Sequence, residues 1–490
     1  MSAYVLLCPV LLPVICGAVM GLHPIRNVRR RNIFVFSVTL LTSLLIGALL
    51  LFSPGEQDIG LQLAGVLEIK FRLDGCGMVF AGLIAFLWPL AVVYAFEYME
   101  KEPSDSFFAF YVMTYGITTG IAFAGNLMTM YMFYELLTIV TIPLVMHELD
   151  HKSVVAARKY MKYSFGGAAF GFLGFIAILS LGETLDFRFG GVLSAEVIEQ
   201  HGPFLLLIYT LAVFGFGVKA ALFPVHGWLP TASVAPTPVT ALLHAVAVVK
   251  AGAFAIIRIT YYSFGTTLLK GSAAQKILLA FTAFTIVYGS AKAVKEQHCK
   301  RRLAYSTISN LSYILFAALL MSPEGLTAAF LHLIFHGLMK ITLFFCIGAV
   351  MVKTGRKYLW EMDGLGRKMP LLTVIYTISG LALIGIPPLC GFISKWHIAG
   401  AAIGEGTAFV YIGFGALMVS AFLTAAYIME LVVRAWKPSG GAGTVYADNV
   451  ERPGARMCVP LVILTLAVIV CGLFSGPLVG FFERIAAGEI

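Results

Sequence analysis

The sequence places two histidines and a lysine four residues apart: His332, His336 and Lys340 in Leu331-His332-Leu333-Ile334-Phe335-His336-Gly337-Leu338-Met339-Lys340. At 3.6 residues per turn they stack on one helix face, about 6 Å per step and about 12 Å from end to end. Linked by water, such a stripe can pass a proton along the helix. Imidazole titrates near neutrality, and desolvation disfavours the charged form of a lysine, so both side chains suit that task. The histidine pair could instead bind zinc. Against zinc, no third ligand is evident and the glutamate of an H-E-x-x-H motif is missing. Hydrogen-bonded core histidines are the plainer alternative.

Five further residues add to this stripe, each inside a long apolar run. Glu135 sits mid-run in Asn126-Leu127-Met128-Thr129-Met130-Tyr131-Met132-Phe133-Tyr134-Glu135-Leu136. Lys219 precedes Pro224 by five residues, and Lys395 follows Pro387-Pro388 in Cys390-Gly391-Phe392-Ile393-Ser394-Lys395-Trp396. His244 and Lys250 lie about 120° apart on an ideal helix, so they face different cavities or bracket one. A charge at the centre of a bilayer costs about 3 kcal/mol on insertion scales. Such residues face the bundle interior, pair, or line an ion path. The bland alternative is an ion pair that only fixes packing; several charges beside two helix breaks argue against it. Arg258 and Glu430 lie nearer the ends of their runs and are expected to snorkel.

The elements that must hold these groups follow from composition. Of 490 residues, 59% are hydrophobic and 12% charged, which excludes a soluble enzyme. Long apolar runs with short polar connectors give about 14 membrane helices. The expected spans are 3–21, 32–53, 75–96, 107–126, 127–147, 163–181, 204–233, 238–262, 273–291, 303–321, 326–352, 370–403, 407–433 and 457–482. Two are long and interrupted, at Phe223-Pro224 with Pro230, and at Gly385-Ile386-Pro387-Pro388. Proline breaks the helical ladder, and irregular backbone survives at membrane depth only inside protein or beside a wet cavity. Paired interruptions point to inverted repeats and a transport path. The expected organisation is 1–106 (helices 1–3 with a hairpin outside the membrane), 107–262 (first repeat, helices 4–8), 273–433 (second repeat, helices 9–13) and 434–490 (a loop and helix 14). In 59–73 the period changes to two, with Gly65 as the turn, which predicts the β-hairpin.

Alternate loops, beginning with Arg26-Asn27-Val28-Arg29-Arg30-Arg31, hold 23 of the 34 Lys and Arg, against 6 in the opposite set. Five lie within spans. This asymmetry marks the basic loops as cytoplasmic and both termini as outside. The net charge of +9 therefore needs no nucleic acid. The first helix lacks a basic region before it and an evident cleavage site after it, and reads as an uncleaved span. Eight cysteines form no C-x-x-C pair, so neither an iron–sulfur site nor a disulfide framework is expected.

These motifs resemble the antiporter-like subunits shared by respiratory complex I, membrane-bound and energy-converting hydrogenases, formate hydrogenlyases and Mrp sodium/proton antiporters. The resemblance covers most of the chain. It rests on the Tyr134-Glu135 span, on Lys219 with Phe223-Pro224-Val225-His226-Gly227-Trp228-Leu229-Pro230, and on Ala235-Pro236-Thr237-Pro238-Val239 through Lys250. It continues through Lys300-Arg301-Arg302-Leu303-Ala304-Tyr305-Ser306-Thr307, the His332–Lys340 stripe, and Gly385-Ile386-Pro387-Pro388 to Lys395.

The resemblance implies an all-α integral membrane fold of about 14 helices with two inverted five-helix repeats, each containing a broken helix. It implies a row of buried charges through the membrane centre. In that row Glu135 pairs with Lys219, Lys250 or His244 bridges, Lys340 continues and Lys395 ends the second half. The chain ends near residue 490, so the long lateral helix of the largest complex I member is expected to be absent. Lys395 sides with the lysine members rather than a relative carrying glutamate there. The presence of both His244 and Lys250 leaves the subfamily open. With no nucleotide loop or Rossmann fingerprint, this chain is expected to hold no cofactor or redox centre, leaving redox chemistry to partner membrane subunits. The expected function is proton translocation within a multi-subunit complex in the cytoplasmic (inner) membrane, with sodium coupling left open. The alternatives are a standalone cation/proton antiporter and a membrane module that conducts nothing.

Overall fold

The computed structural model describes residues 3–52, 57–102, 104–437 and 451–490. Among these, eleven helices are long and apolar enough to cross a membrane. They are α1 (Tyr4–Leu22), α2 (Val28–Phe52), α3 (Gly75–Tyr98), α5 (Leu127–Val145), α6 (His151–Leu181), α7 (Ala195–Gly217), α9 (Thr237–Phe264), α10 (Ala273–Lys295), α12 (Pro323–Thr354), α15 (Ala408–Trp436) and α16 (Ala455–Leu473). Two more, α4 (Asp105–Ala122) and α11 (Cys299–Ala318), are of similar length but more polar. Other helices cover them: nearly every α11 side chain is buried, which is why it tolerates Lys300, Arg302, Asn310 and a run of serines and threonines. The pair α13 (Pro370–Ile384) and α14 (Cys390–Glu405) forms one further crossing in two halves. Eleven, two and one make fourteen crossing segments. A short helix α8 (Trp228–Ala232) follows α7, and α17 (Gly476–Ala486) follows α16, so the expected final span 457–482 is two helices. The loop expected after 433 lies outside the described residues at 438–450.

Helix starts carry the side chains that satisfy free N–H groups. Asp74, Asn126, Asp150 and Ser194 each accept a hydrogen bond from the backbone N–H three residues on. The hairpin is present as β1 (Asp58–Ala64) and β2 (Leu67–Arg72), antiparallel, with Gly65 at φ +55° in its turn. Gly125 N–H donates to the Lys70 carbonyl at 2.8 Å, and Asn126 to that of Glu68 at 2.8 Å, so the hairpin clamps the α4–α5 loop. Lys70 bridges Asp58 (2.9 Å) and Asp186 (2.8 Å), tying in the α6–α7 loop. Loops at this hairpin end interlock through Gly190 to Tyr261 and Val192 to Ser263 backbone bonds. At the opposite, basic end, Cys299 N–H donates to Lys357 and Gly364 N–H to Arg434, while Lys353 pairs with Glu97 at 3.2 Å.

The first interruption begins earlier than its prolines suggest. Helix α7 stops at Gly217, and 218–227 is irregular before α8. Trp228 Nε1 donates to the Val218 carbonyl at 2.7 Å, satisfying one group that the break frees. Gly252 of α9 allows the close approach, because a Cβ there would stand 2.8 Å from the Lys219 carbonyl carbon. The second interruption falls where expected: Gly385 ends α13 at φ +99° and α14 starts at Cys390.

Arg258 does not snorkel. It is fully buried and holds Asp74 through two 2.6 Å hydrogen bonds, so α9 is pinned to the start of α3. Proximity to a helix end is not exposure when neighbours close over that end: Phe187 of the α6–α7 loop and Phe254 and Tyr262 of α9 itself ring its guanidinium within 5.1 Å. Glu430 is likewise engaged, accepting from Arg302 at 2.9 Å. Removing one partner of a buried pair leaves the other charge uncompensated, at about 3–5 kcal/mol. Asp74→Ala should therefore lower thermal stability in detergent sharply, whereas Asp58→Ala at the exposed hairpin edge should shift it little. Equal melting temperatures for the two variants would refute the assignment of Arg258–Asp74 as a structural lock.

Candidate functional site: a polar row through the bundle

The row starts on α5. Glu135 is half-buried, and its Oε1 is enclosed without a hydrogen-bond partner among the described residues. Lys219 is fully buried within the unwound segment itself, not in the helix before it. Its ammonium donates to the Tyr134 carbonyl, and Nζ lies 3.4 Å from the Tyr134 ring centroid. The expected Glu135–Lys219 pair is therefore not closed: the lysine is held by the residue next to Glu135. Backbone of α5 and the aromatic face together stand in for the carboxylate.

The centre of the row is α9 against α12. Lys250 Nζ lies 2.8 Å from His336 Nδ1, both fully buried. His244 lies in a π-helical turn, Leu242–Val246, closed by the Ala247 N–H to Leu242 carbonyl bond. That turn invalidates the ideal 120° separation from Lys250. His244 packs on Phe344, 4.9 Å between ring centroids, one turn beyond Lys340 on the α12 stripe. So His244 and Lys250 bracket one line of groups rather than facing two cavities. Both ring nitrogens of His244 are buried without a hydrogen-bond partner among the described residues. Lys340 donates to the Leu303 carbonyl of α11 at 3.1 Å.

Toward the second break, His332 stacks near His336, 5.8 Å between centroids. Its Nδ1 is 2.9 Å from Ser394 Oγ. The neighbouring Lys395 donates to the Leu383 and Ile384 carbonyls at 2.8 and 2.9 Å, acceptors that the interrupted helix leaves free, and Nζ lies 5.2 Å from the Tyr313 ring. Lys340 is not the neighbour of Lys395: it sits at the far end of the stripe, and His332 is the near member. Ser394 and Tyr313 are members of this site that sequence reasoning missed. Ser394 carried a signal, a hydroxyl beside a lysine in an apolar run. Tyr313 carried none. Glu324, two turns before His332 on α12, lines a cavity of about 470 Å³ at the hairpin end with Thr327, His397 and Glu483.

The structure thus brings together Lys250, His336, His332, Ser394 and Lys395 by direct contacts, with Lys340 and His244 continuing along the same stripe. Glu135 and Lys219 form a separate group on the other side of α9. Gly252, two residues from Lys250, packs against the Lys219 backbone and joins the two. Chemically, every member donates or accepts a proton or can exchange one, and each is enclosed by apolar side chains.

Residues 124–424 match the family model described as NADH:quinone oxidoreductase/Mrp antiporter, TM. The chain is 32% identical over 408 residues to NADH-quinone oxidoreductase subunit N of Desulforudis audaxviator, covering 80% of this chain and 79% of that one. It is 32% identical over 335 residues to a chain of a probable K(+)/H(+) antiporter of Rhizobium meliloti, covering 67% of this chain but 32% of that longer one. Among solved structures, a chain of the archaeal membrane-bound sulfane sulfur reductase, a respiratory membrane complex, superposes with a TM-score of 0.85 at 25% identity, covering 99% of this chain and 97% of the other. The matched family model extends from α5 through α15 and takes in both helix breaks and the whole polar row between them; the chain belongs to the NADH:quinone oxidoreductase/Mrp antiporter family of membrane proteins.

Proposed function

We propose that this chain is a proton-translocating, antiporter-like subunit of a multi-subunit complex in the cytoplasmic membrane, with the basic loops inside and both termini outside. Its partners are other membrane subunits. Support for the assembly comes from its relatives, which are chains of a quinone oxidoreductase, of a cation/proton antiporter and of a respiratory membrane complex. Support for the orientation comes from the loops at the basic end, which hold 23 of the 34 Lys and Arg.

The observation that carries the reading is the fully buried Lys250–His336 contact, continued through His332 and Ser394 to Lys395. In the proposed path Glu135 and Lys219 take up a proton at the first break. Lys250, His336 and His332 pass it between the halves, with Lys340 and His244 as a side reservoir, and Lys395 releases it at the second break. Carbonyl acceptors hold Lys219, Lys340 and Lys395 in place whether the amine is charged or neutral. Protons fit this row better than sodium, which binds oxygen clusters; Glu135 is the row's lone carboxylate.

A group that transfers a proton contributes about 100-fold or more to the rate. Glu135→Ala is expected to insert and assemble, yet to lose coupled transport by about that factor in proteoliposomes; unimpaired pumping removes Glu135 from the path. Lys395→Arg keeps the charge but holds its proton. It should assemble normally and pump poorly, and near-normal translocation would make Lys395 a packing cation. Expressed and reconstituted alone, the chain should show no robust antiport, so vigorous sodium/proton exchange by the isolated chain would favour the standalone alternative.

A further inference from the structure

Three basic side chains meet at the basic end of the bundle, beside the first break. Lys159 of α6 donates to Thr231 Oγ1 at 3.1 Å and lies against Gly227, where an added Cβ would stand 3.8 Å from its Nζ. His226, in the unwound segment, stacks on Phe223 at 5.5 Å and meets the edge of Tyr288 at 4.9 Å. Lys292 of α10 holds its Nζ 5.8 Å from the Tyr288 ring. His226 is 8% exposed, and its Nδ1 is buried without a hydrogen-bond partner among the described residues. Neither lysine has a carboxylate partner among the described residues. The cluster is therefore a concentration of donors with no anion of its own.

What lies beneath it names the occupant. Phe284, 51% exposed, packs on Phe223 at 4.7 Å and stacks with Tyr288 at 5.9 Å. On α10 it sits eight residues before Lys292, about 12 Å deeper toward the membrane centre. A ladder of aromatic rings thus descends from the cations along an outward face. Basic groups at the headgroup level above exposed aromatic surface match a phospholipid, phosphate above and acyl chain below.

We propose that Lys159, His226 and Lys292 form a site for the phosphate of an anionic phospholipid in the leaflet at the basic end, its chain lying on Phe223 and Phe284. His226 and Lys219 share the irregular segment 218–227, so a bound headgroup steadies the backbone that presents Lys219. The effect on transport rests on the role proposed for Lys219; the binding does not.

The test uses the assembled complex in phosphatidylcholine nanodiscs supplemented with phosphatidylglycerol, with retained lipid counted by native mass spectrometry. The parent should keep phosphatidylglycerol in preference to phosphatidylcholine. The K159Q/K292Q double variant, with its subunit composition verified, should hold it about tenfold more weakly or worse, since each lysine near the surface contributes substantially. H226Q, which keeps the bulk of the side chain, should fall between. Unchanged retention in the double variant, or equal retention of phosphatidylcholine by the parent, overturns the site. Displacement by inorganic phosphate alone overturns the lipid assignment, and loss of a partner subunit from the double variant overturns it in favour of a protein contact. If retention falls as expected while pumping is unchanged, the lipid site stands and it is the link to Lys219 that fails.

Discussion

The interaction on which the interior depends is a lysine ammonium bonded to main-chain carbonyls. Lys219 donates to Tyr134, Lys340 to Leu303, Lys395 to Leu383 and Ile384, and Lys300 to Ala235. Hydrocarbon allows no unpaired backbone group, and a helix break creates several. At the second break Lys395 solves both problems at once, because its own desolvation and that of the freed Leu383 and Ile384 carbonyls are relieved by the same contacts. The buried arginines add a carboxylate partner: Arg258 holds Asp74, and Arg302 holds Glu430 besides the Glu296, Val294 and Tyr427 carbonyls. Carboxylate partners fix a charge, since losing the proton would leave the acid alone. A neutral carbonyl accepts from an ammonium or an amine alike. Arginine–carboxylate contacts lie near the two ends, and the carbonyl-held Lys219, Lys340 and Lys395 lie along the row; in the proposed path this is a division between the first, charges that stay, and the second, charges that can leave.

That division explains which parts of the molecule were legible in the sequence. The α12 stripe was readable because a period of four on a straight helix fixes its own geometry, and the Gly385–Pro388 break because proline and glycine act locally. The start of the first break was not. Gly217 and Val218 unwind because Trp228 supplies a donor from ten residues on and Gly252 makes room from another helix. Arg258 was misjudged for the same reason: besides Phe254 and Tyr262 on its own helix, its depth is set by Asp74 and Phe187, both far from it in the chain. His244 could not be placed without the π turn, which one extra residue in the backbone ladder creates and no side-chain pattern announces. The span expected at 303–321 is present as α11, and its polar residues meet protein rather than lipid.

The arrangement of the row also bears on how its two ends sense one another. Lys219, Lys250, Lys340 and Lys395 share the interior with a single half-buried carboxylate, Glu135. Two like charges about 10 Å apart, at an effective dielectric near 20, repel by about 1.7 kcal/mol, more than a tenfold bias in population. Water cannot screen this inside the bundle as it does at the surface. In the proposed path, a proton arriving on one lysine would disfavour the charged form of the next, and the carbonyl contacts would let that neighbour discharge without losing its place. Lys250 is the exception, bonded to His336 rather than to backbone. It lies between the two breaks, where its partner is itself titratable, so the proton they share can sit on either side. In the path proposed above, this one hydrogen bond is where the two groups of the row on either side of it meet.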